Sequence, residues 1–190
     1  MIEHRLRTER LVEKVSSAPL KPEILGANAP EFMAHVFTTP VEDIEYLALT
    51  LGDVAEAGAR GEPILVRAQT MHPLGDVFGA SSSDAGWLLR ESLRAIAAAG
   101  RGVFLYVVPP RLSLSGEVEA GTRPVPANRF RDFGLGAQVL AELGVKRLRL
   151  LTDNPKRMVS LHGFGIEVVE TVPIERPARG TLIAVDGGKG

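Results

Sequence analysis

Residues 64–106 read ILVRAQTMHPLGDVFGASSSDAGWLLRESLRAIAAAGRGVFLY and decide the fold. The first three residues are apolar and predict a buried strand, which is followed by a polar loop rich in glycine and serine. After Asp84, a plausible N-cap, apolar residues recur at helical spacing up to Gly100, which predicts an amphipathic helix. A second apolar run ends at Tyr106. This order predicts a βαβ unit whose loop, at a strand end and a helix N-terminus, suits an anionic ligand.

The composition is that of a single globular domain. The chain has 190 residues, of which 45% are hydrophobic, and a formal net charge of −1, so it can bury a sizeable core. It has neither the charge balance typical of nucleic-acid binding nor an apolar run long enough for a bilayer, and its charged N-terminus is unlike a signal peptide. We therefore expect one cytoplasmic domain over residues 1–190, without nucleic-acid or membrane partners.

The sequence before this unit predicts further strands. We interpret residues 1–32 as an irregular N-terminal arm, because a charged start is followed by a stretch interrupted by prolines, with room for one short strand. Residues 33–39 and 45–51 alternate or are apolar, which predicts a β-hairpin. Residues 52–63 are expected to form the loop that returns the chain to the central strand.

The sequence after this unit changes in character. Residues 107–129 contain four prolines and no sustained periodicity, so we expect a long loop there. A stripe of leucine and valine then predicts a helix that ends at Gly144, followed by a strand at 145–151. Thr152 is expected to cap a further helix, and residues 166–174 are predicted to form a strand. The whole pattern indicates an α/β fold with a mixed sheet.

Four motifs occur in order along the chain. They are LVR at 65–67, LGDVFG at 74–79, GRGVFLY at 100–106, and a long segment from Phe130 to Ile174 that begins FRDFGLGAQVLAELGVKRLRLLTDNP. Together they resemble the GTP cyclohydrolase II family, which carries out the first step of riboflavin synthesis. The resemblance implies a GTP cyclohydrolase II-like fold and a homodimer that binds a small molecule.

The same resemblance implies a catalytic zinc held by three cysteines in the spacing C-x10-C-x-C. The corresponding positions here are His72, Ser83 and Ala85, and the chain contains no cysteine. Serine and alanine do not replace a thiolate as a zinc ligand at neutral pH, so we predict no metal and no cofactor. A replacement site of His72, Asp76 and Asp84 is the alternative. The family pattern keeps both aspartates beside its cysteines, which favours a structural role for them.

Four residues match ligand-contacting positions of the family and predict an anion site. Arg67 and Arg157 fall at phosphate-contacting positions, and Thr152 falls at another ligand contact. A surface ion pair would also explain Arg67, and capping of a helix would also explain Thr152. Arg131, the one catalytic candidate, matches the arginine that the resemblance implies attacks the α-phosphate. Arg129 stands where the family has an aspartate as proton acceptor, so we expect Arg131 to bind an anion instead.

Three further residues complete the predicted ligand site. Met71 replaces an acidic residue of the family, so the pocket is expected to be more apolar than in the relatives. His72 is the new polar group at a former metal position. Tyr106 ends an apolar strand and is expected to form a wall rather than to act as a catalytic acid.

Three functions are compatible with this sequence. The favoured one is a zinc-independent enzyme that binds a small phosphorylated or heterocyclic ligand, because the family's zinc-bound hydroxide has no counterpart among these residues. The second is a noncatalytic paralogue that binds a ligand or regulates a relative. The third is a genuine GTP cyclohydrolase II with unusual metal ligands.

Overall fold

The computed structural model describes residues 9–79, 84–109, 118, 129–154 and 161–174, except for the side chains of residues 129–133 and 162. The strands are β1 (Glu13–Leu20), β2 (Phe32–Thr38), β3 (Glu45–Leu51), β4 (Ile64–Thr70), β5 (Gly102–Val108), β6 (Arg147–Thr152) and β7 (Glu167–Pro173). The α-helices are α1 (Val54–Ala59), α2 (Pro73–Asp76), α3 (Ala85–Ala99) and α4 (Arg129–Glu142). Short 3-10 turns occupy Glu23–Leu25 and His162–Phe164. The expected mixed α/β architecture is confirmed.

All seven strands belong to one sheet in the order β1-β2-β3-β5-β4-β6-β7. The pairs β1–β2, β2–β3 and β3–β5 are antiparallel, and the pairs β5–β4, β4–β6 and β6–β7 are parallel. The predicted hairpin is therefore present as β2 and β3, and the predicted βαβ unit as β4, α3 and β5. Because β4 to β7 run in parallel, their carboxyl ends lie along the same edge of the sheet.

Helices cover both faces of the sheet, which explains the apolar run at the start of β4. Successive side chains of a strand point to opposite faces, so Leu65 packs on one face while Ile64 and Val66 pack on the other. On the first face, Leu65 joins residues of α3 such as Leu93 and Ile96. The opposite face buries residues of α1 and α4, including Val54, Ala57, Leu135, Val139 and Leu140.

Strand β1 and helix α1 are more regular than the sequence indicates, as is α2 within the predicted polar loop. Residues 13–20, expected within an irregular arm, form strand β1, whose eight residues are all exposed. An edge strand without a buried face shows no apolar alternation, and it tolerates a proline such as Pro19. Residues 54–59, expected within a loop, form the short helix α1, which buries Val54 and Ala57.

Helix α1 is fixed by a close backbone contact and by an ion-pair cluster. A Cβ atom added at Gly58 would lie 1.9 Å from the carbonyl oxygen of Gly144, so α1 sits directly on the turn after α4. Beyond α1, Glu62 accepts a hydrogen bond from Arg60 Nε at 2.6 Å and another from Arg101. These two bonds lower the pKa of Glu62 from 4.5 to about 2.

The predicted loop at 107–129 lies mostly outside the described residues, although β5 extends through Val108. The predicted helix after Thr152 also falls largely on residues that the structure does not describe. Within the described ranges, no helix combines the length and apolarity needed to cross a bilayer.

Candidate functional site

The candidate site is the edge of the sheet at the carboxyl ends of β4, β5 and β6. The chain leaves β4 towards α3 on one face of the sheet, whereas after β5 it continues into α4 on the opposite face. Ligands of open α/β sheets bind at such switch points, and we refer to this one as the switch-point crevice. Arg67 and Gln69 from β4 and Tyr106 from β5 lie at this end of the sheet, on the face covered by α3.

A buried carboxylate, that of Asp76, joins the two central strands to the loop after β4. Its Oδ1 accepts a hydrogen bond from Gln69 Nε2 at 2.8 Å, and its Oδ2 accepts bonds from Tyr106 OH at 2.5 Å and from the His72 amide at 2.7 Å. Gln69 and Tyr106 are register partners on β4 and β5, so the single side chain of Asp76 reaches both of them. Hydrogen bonds to an ionised acceptor are about twice as strong as neutral ones, so Asp76 holds the loop firmly against the sheet.

Arg67 is a buried cation at the same edge. Its Nη1 donates to Oδ1 of Asp153 at 2.9 Å, and the Leu151 carbonyl lies 3.5 Å from the same nitrogen. The Arg67 side chain is 9% exposed and that of Asp153 is 48% exposed. Arg67 thus forms an ion pair, as the sequence alternative expected, although inside the protein rather than on its surface. Contact of Arg67 with a ligand remains a prediction.

Two polar atoms of β4 are buried near this edge of the sheet without a hydrogen-bond partner in the part of the chain that the structure describes. They are Nε of Arg67, a donor, and Oε1 of Gln69, an acceptor. The Gln69 amide nitrogen is occupied, because it donates to Asp76 and to the Ala85 carbonyl at 3.1 Å. Arg67 and Gln69 are two residues apart and share one face of the strand. Among the described residues, β4 therefore presents a donor and an acceptor that no protein group satisfies.

His72 and Met71 have structural roles at the start of the loop. The Nδ1 atom of His72 accepts a hydrogen bond from the Gly75 amide at 3.1 Å and caps α2. The Met71 amide donates to the Val107 carbonyl at 2.8 Å, which extends the pairing of β4 with β5. Ligand contacts by both side chains remain predictions.

Gly86 of α3 packs against α2 so closely that an added Cβ would lie 2.2 Å from the Gly75 oxygen.

The residues at the family's zinc positions do not fit the metal. His72 Nδ1 is an acceptor, so in the neutral ring Nε2 carries the proton, and coordination through either nitrogen would disrupt the bond from Gly75. Ala85 has no donor side chain, and Ser83 lies outside the described residues. Both oxygens of Asp76 accept bonds from protein groups. Among the described residues, no three histidine, aspartate or glutamate side chains form a group that could hold a metal ion. The absence of zinc remains a prediction.

The structure brings Thr152 to the same edge of the sheet as Arg67. Thr152 is the last residue of β6, the strand next to β4, and its Oγ1 accepts a hydrogen bond from the Asn154 amide at 3.1 Å. The side chain of Arg131 and the whole of Arg157 lie outside the described residues. Convergence of the four side chains at an anion site therefore remains a prediction.

Sequence reasoning missed Gln69 and Asp153 as site residues. The spacing of Gln69 from Arg67 carried a signal, because residues two apart on a strand share a face. Asp153 directly follows β6, where loop residues of a parallel sheet often bind ligands. Its pairing with Arg67 depends on the neighbouring positions of β4 and β6, which no local pattern encodes.

Comparison with known proteins agrees with this architecture. A family model described as GTP cyclohydrolase II matches residues 23–173. Riboflavin biosynthesis protein RibBA of Aquifex aeolicus (strain VF5) is 38% identical over 191 residues, which cover 92% of this chain and 45% of that protein. RibBA of Mycobacterium bovis (strain BCG / Pasteur 1173P2) is 37% identical over 190 residues, covering 92% and 44%. The chain thus spans less than half the length of these relatives.

A solved structure shares the fold at low sequence identity. RibBX of A. baumannii, a two-domain 3,4-dihydroxy-2-butanone 4-phosphate synthase, superposes with a TM-score of 0.57 at 18% identity, over 93% of this chain and 44% of the other. This likeness concerns the fold alone. The family match spans most of the chain, including all but the last residue of the motifs from which the resemblance was drawn, so the chain belongs to the GTP cyclohydrolase II family.

Proposed function

We propose that this chain is a zinc-independent, GTP cyclohydrolase II-like enzyme that binds a small phosphorylated or heterocyclic ligand in the switch-point crevice and does not open the GTP ring. The observation that carries the proposal is the pair of unpartnered atoms on β4, Arg67 Nε and Gln69 Oε1. Buried polar atoms without a partner are rare and costly in folded proteins. A ligand that presents an acceptor and a donor, as the edge of a heterocycle does, satisfies both.

The relatives give independent support for a ligand of this kind. RibBA proteins are named for riboflavin biosynthesis, and the chain is 37–38% identical to them over 92% of its own length. This similarity supports a heterocyclic compound of such a pathway as the ligand. Because the chain covers less than half of those proteins, we transfer only this ligand class and none of their activities.

Ring opening is disfavoured by the positions that would carry it. The chemistry needs a hydroxide generated at a metal, and the donor set at His72 and Ala85 does not suit zinc. One observation favours a noncatalytic ligand-binding role as the second candidate. Asp76, the buried carboxylate of the crevice, already accepts bonds from three protein groups and is therefore poorly placed to take a proton from water.

Isothermal titration calorimetry in buffer with EDTA tests ligand binding, using GTP, riboflavin and inorganic pyrophosphate as probes. We expect at least one probe to bind, and we expect Arg67→Met to weaken that binding by roughly tenfold or more, since a hydrogen bond to a charged group contributes about 1.5–3 kcal/mol. Arg147→Met is the matched control, because Arg147 is an exposed arginine paired with Glu167. Equal affinities for wild type and Arg67→Met would contradict the proposal.

A second experiment separates binding from catalysis. The wild-type protein is incubated with GTP in the presence of EDTA and, in parallel, with added zinc, and the products are separated by chromatography. We expect no formamide or diaminopyrimidine product in either sample. Enzyme-dependent product would overturn the claim that ring opening is lost and would identify a genuine GTP cyclohydrolase II.

A further inference from the structure

Arg67 is a buried cation whose charge is matched by a carboxylate of its own chain. Its Nη1 lies 2.9 Å from Oδ1 of Asp153, and the Leu151 carbonyl is 3.5 Å from the same nitrogen. The guanidinium is not saturated, because its Nε has no partner in the described part of the chain. Arg67 therefore combines a neutralised charge with unused hydrogen-bonding capacity.

Asp153 lies on the solvent side of this pair. Its side chain is 48% exposed, whereas that of Arg67 is 9% exposed. An anionic group that approaches Arg67 from solvent meets the Asp153 carboxylate at the guanidinium. Two anions at one cation repel each other, so the incoming group must displace Asp153 before it can use the charge of Arg67.

We infer that Asp153 is a specificity-determining residue that competes, as a tethered carboxylate, with anionic ligand groups at Arg67. The inference rests on the proposed function, in which Arg67 contacts the ligand. The apparent affinity for an anion at Arg67 is the intrinsic affinity multiplied by the fraction of molecules in which Asp153 has moved away. A small fraction therefore means weak binding. An uncharged acceptor, such as a ring carbonyl or ring nitrogen, can use Arg67 Nε without displacing Asp153. The pair therefore selects a neutral heterocycle edge over a phosphate at this position.

Replacement of Asp153 tests the inference, with inorganic pyrophosphate as the probe and EDTA in the buffer. Asp153→Asn removes the negative charge and keeps an oxygen that can accept from Arg67, whereas Asp153→Ala removes the side chain beyond Cβ. We expect both variants to bind pyrophosphate at least about tenfold more tightly than wild type, because a charged hydrogen bond no longer has to be broken. Pyrophosphate should also raise the melting temperature of Asp153→Asn more than that of wild type, because it supplies the missing anion.

Two controls assign the effect to Arg67. The side chain of Glu170 on β7 is 52% exposed and pairs with Arg149 of the neighbouring strand β6. Glu170→Gln removes the same charge as Asp153→Asn, so it measures any general effect of net charge. The double variant Arg67→Met/Asp153→Asn should lose the gain, because the gain requires the guanidinium. A purely structural role of Asp153 would not produce this dependence.

The outcomes separate this inference from the proposed function. Tighter pyrophosphate binding by Asp153→Asn that is absent from the double variant supports the inference, even if wild type binds no pyrophosphate. An affinity of Asp153→Asn equal to that of wild type or of Glu170→Gln overturns it, as does failure of every variant to bind pyrophosphate. If wild type binds one of the other probes through Arg67 while Asp153→Asn gains nothing for pyrophosphate, the proposed function stands and the inference fails.

Discussion

Replacing Tyr106 with phenylalanine tests whether Asp76 holds the loop after β4 against the sheet. The change removes a hydroxyl and keeps the ring, which stacks on Phe104 at a centroid distance of 6.1 Å, so little packing is lost. The hydroxyl donates to Asp76 Oδ2 at 2.5 Å, and a hydrogen bond to a charged group contributes about 1.5–3 kcal/mol. We expect the free energy of unfolding to fall by that amount, because Gln69 and His72 still donate to the carboxylate. For a domain of this size, the melting temperature should fall by roughly 3–12 °C.

Urea denaturation followed by circular dichroism measures this change. Ser92→Ala is the control, since the buried Ser92 hydroxyl donates to a neutral acceptor, the Leu88 carbonyl, at 2.6 Å. It should cost about 1 kcal/mol or less, because the lost bond is neutral and alanine favours the helix. The urea dependence of the free energy should be the same for wild type and both variants. A smaller loss for Tyr106→Phe than for Ser92→Ala would refute the stabilising role assigned to Asp76.

Four other predictions address the metal, a packing contact, pH dependence and assembly. Elemental analysis should find no stoichiometric zinc, and one zinc per chain that is lost on His72→Ala would contradict this. Gly58→Ala should lower the free energy of unfolding by about 1–3 kcal/mol because of its contact with the Gly144 oxygen, whereas Gly136→Ala, where the nearest atom is 3.4 Å away, should be neutral or stabilising in the same urea assay. The lowered pKa of Glu62 means that the stability from its two arginine partners is present above pH 4.5 and is lost as the pH falls towards 2. NMR titration of its carboxyl carbon should give a pKa of about 2, and a value near 4.5 would refute the cluster. We also propose a homodimer, as the family resemblance implies, and light scattering that gives a monomer at micromolar concentration would count against it.

The sequence predicted the fold where each segment carried its own periodicity. The apolar start of β4 and the helical spacing of α3 identified the central βαβ unit, and Gly100 does end α3 in a left-handed conformation with φ of 69°. Asp84 occupies the predicted N-cap position, although its side chain makes no capping hydrogen bond. The sequence left room for a short strand in the arm but did not locate β1, because an exposed edge strand is held by backbone pairing with β2 rather than by an apolar face.

The site was less predictable because its contacts join segments that are distant in sequence. The motifs located Arg67, but its bond to Asp153 spans 86 positions and exists because β6 pairs with β4. Asp76 was expected to be structural, and the sequence could not show that Gln69 and Tyr106 would both reach it, since that depends on the register of β4 with β5. Local patterns give the residue types at a strand end, whereas the pairing of strands determines which of them meet.

The bonds to Asp76 have a consequence for how this part of the protein forms. A loop ordered by a metal ion acquires its shape only when the ion arrives, so its folding depends on metal supply. Here the carboxylate and its three donors all come from the chain within residues 69–106. Once β5 pairs with β4, all four groups of this network are in place. If the predicted absence of zinc holds, we expect this network to form equally well in protein expressed with and without added zinc.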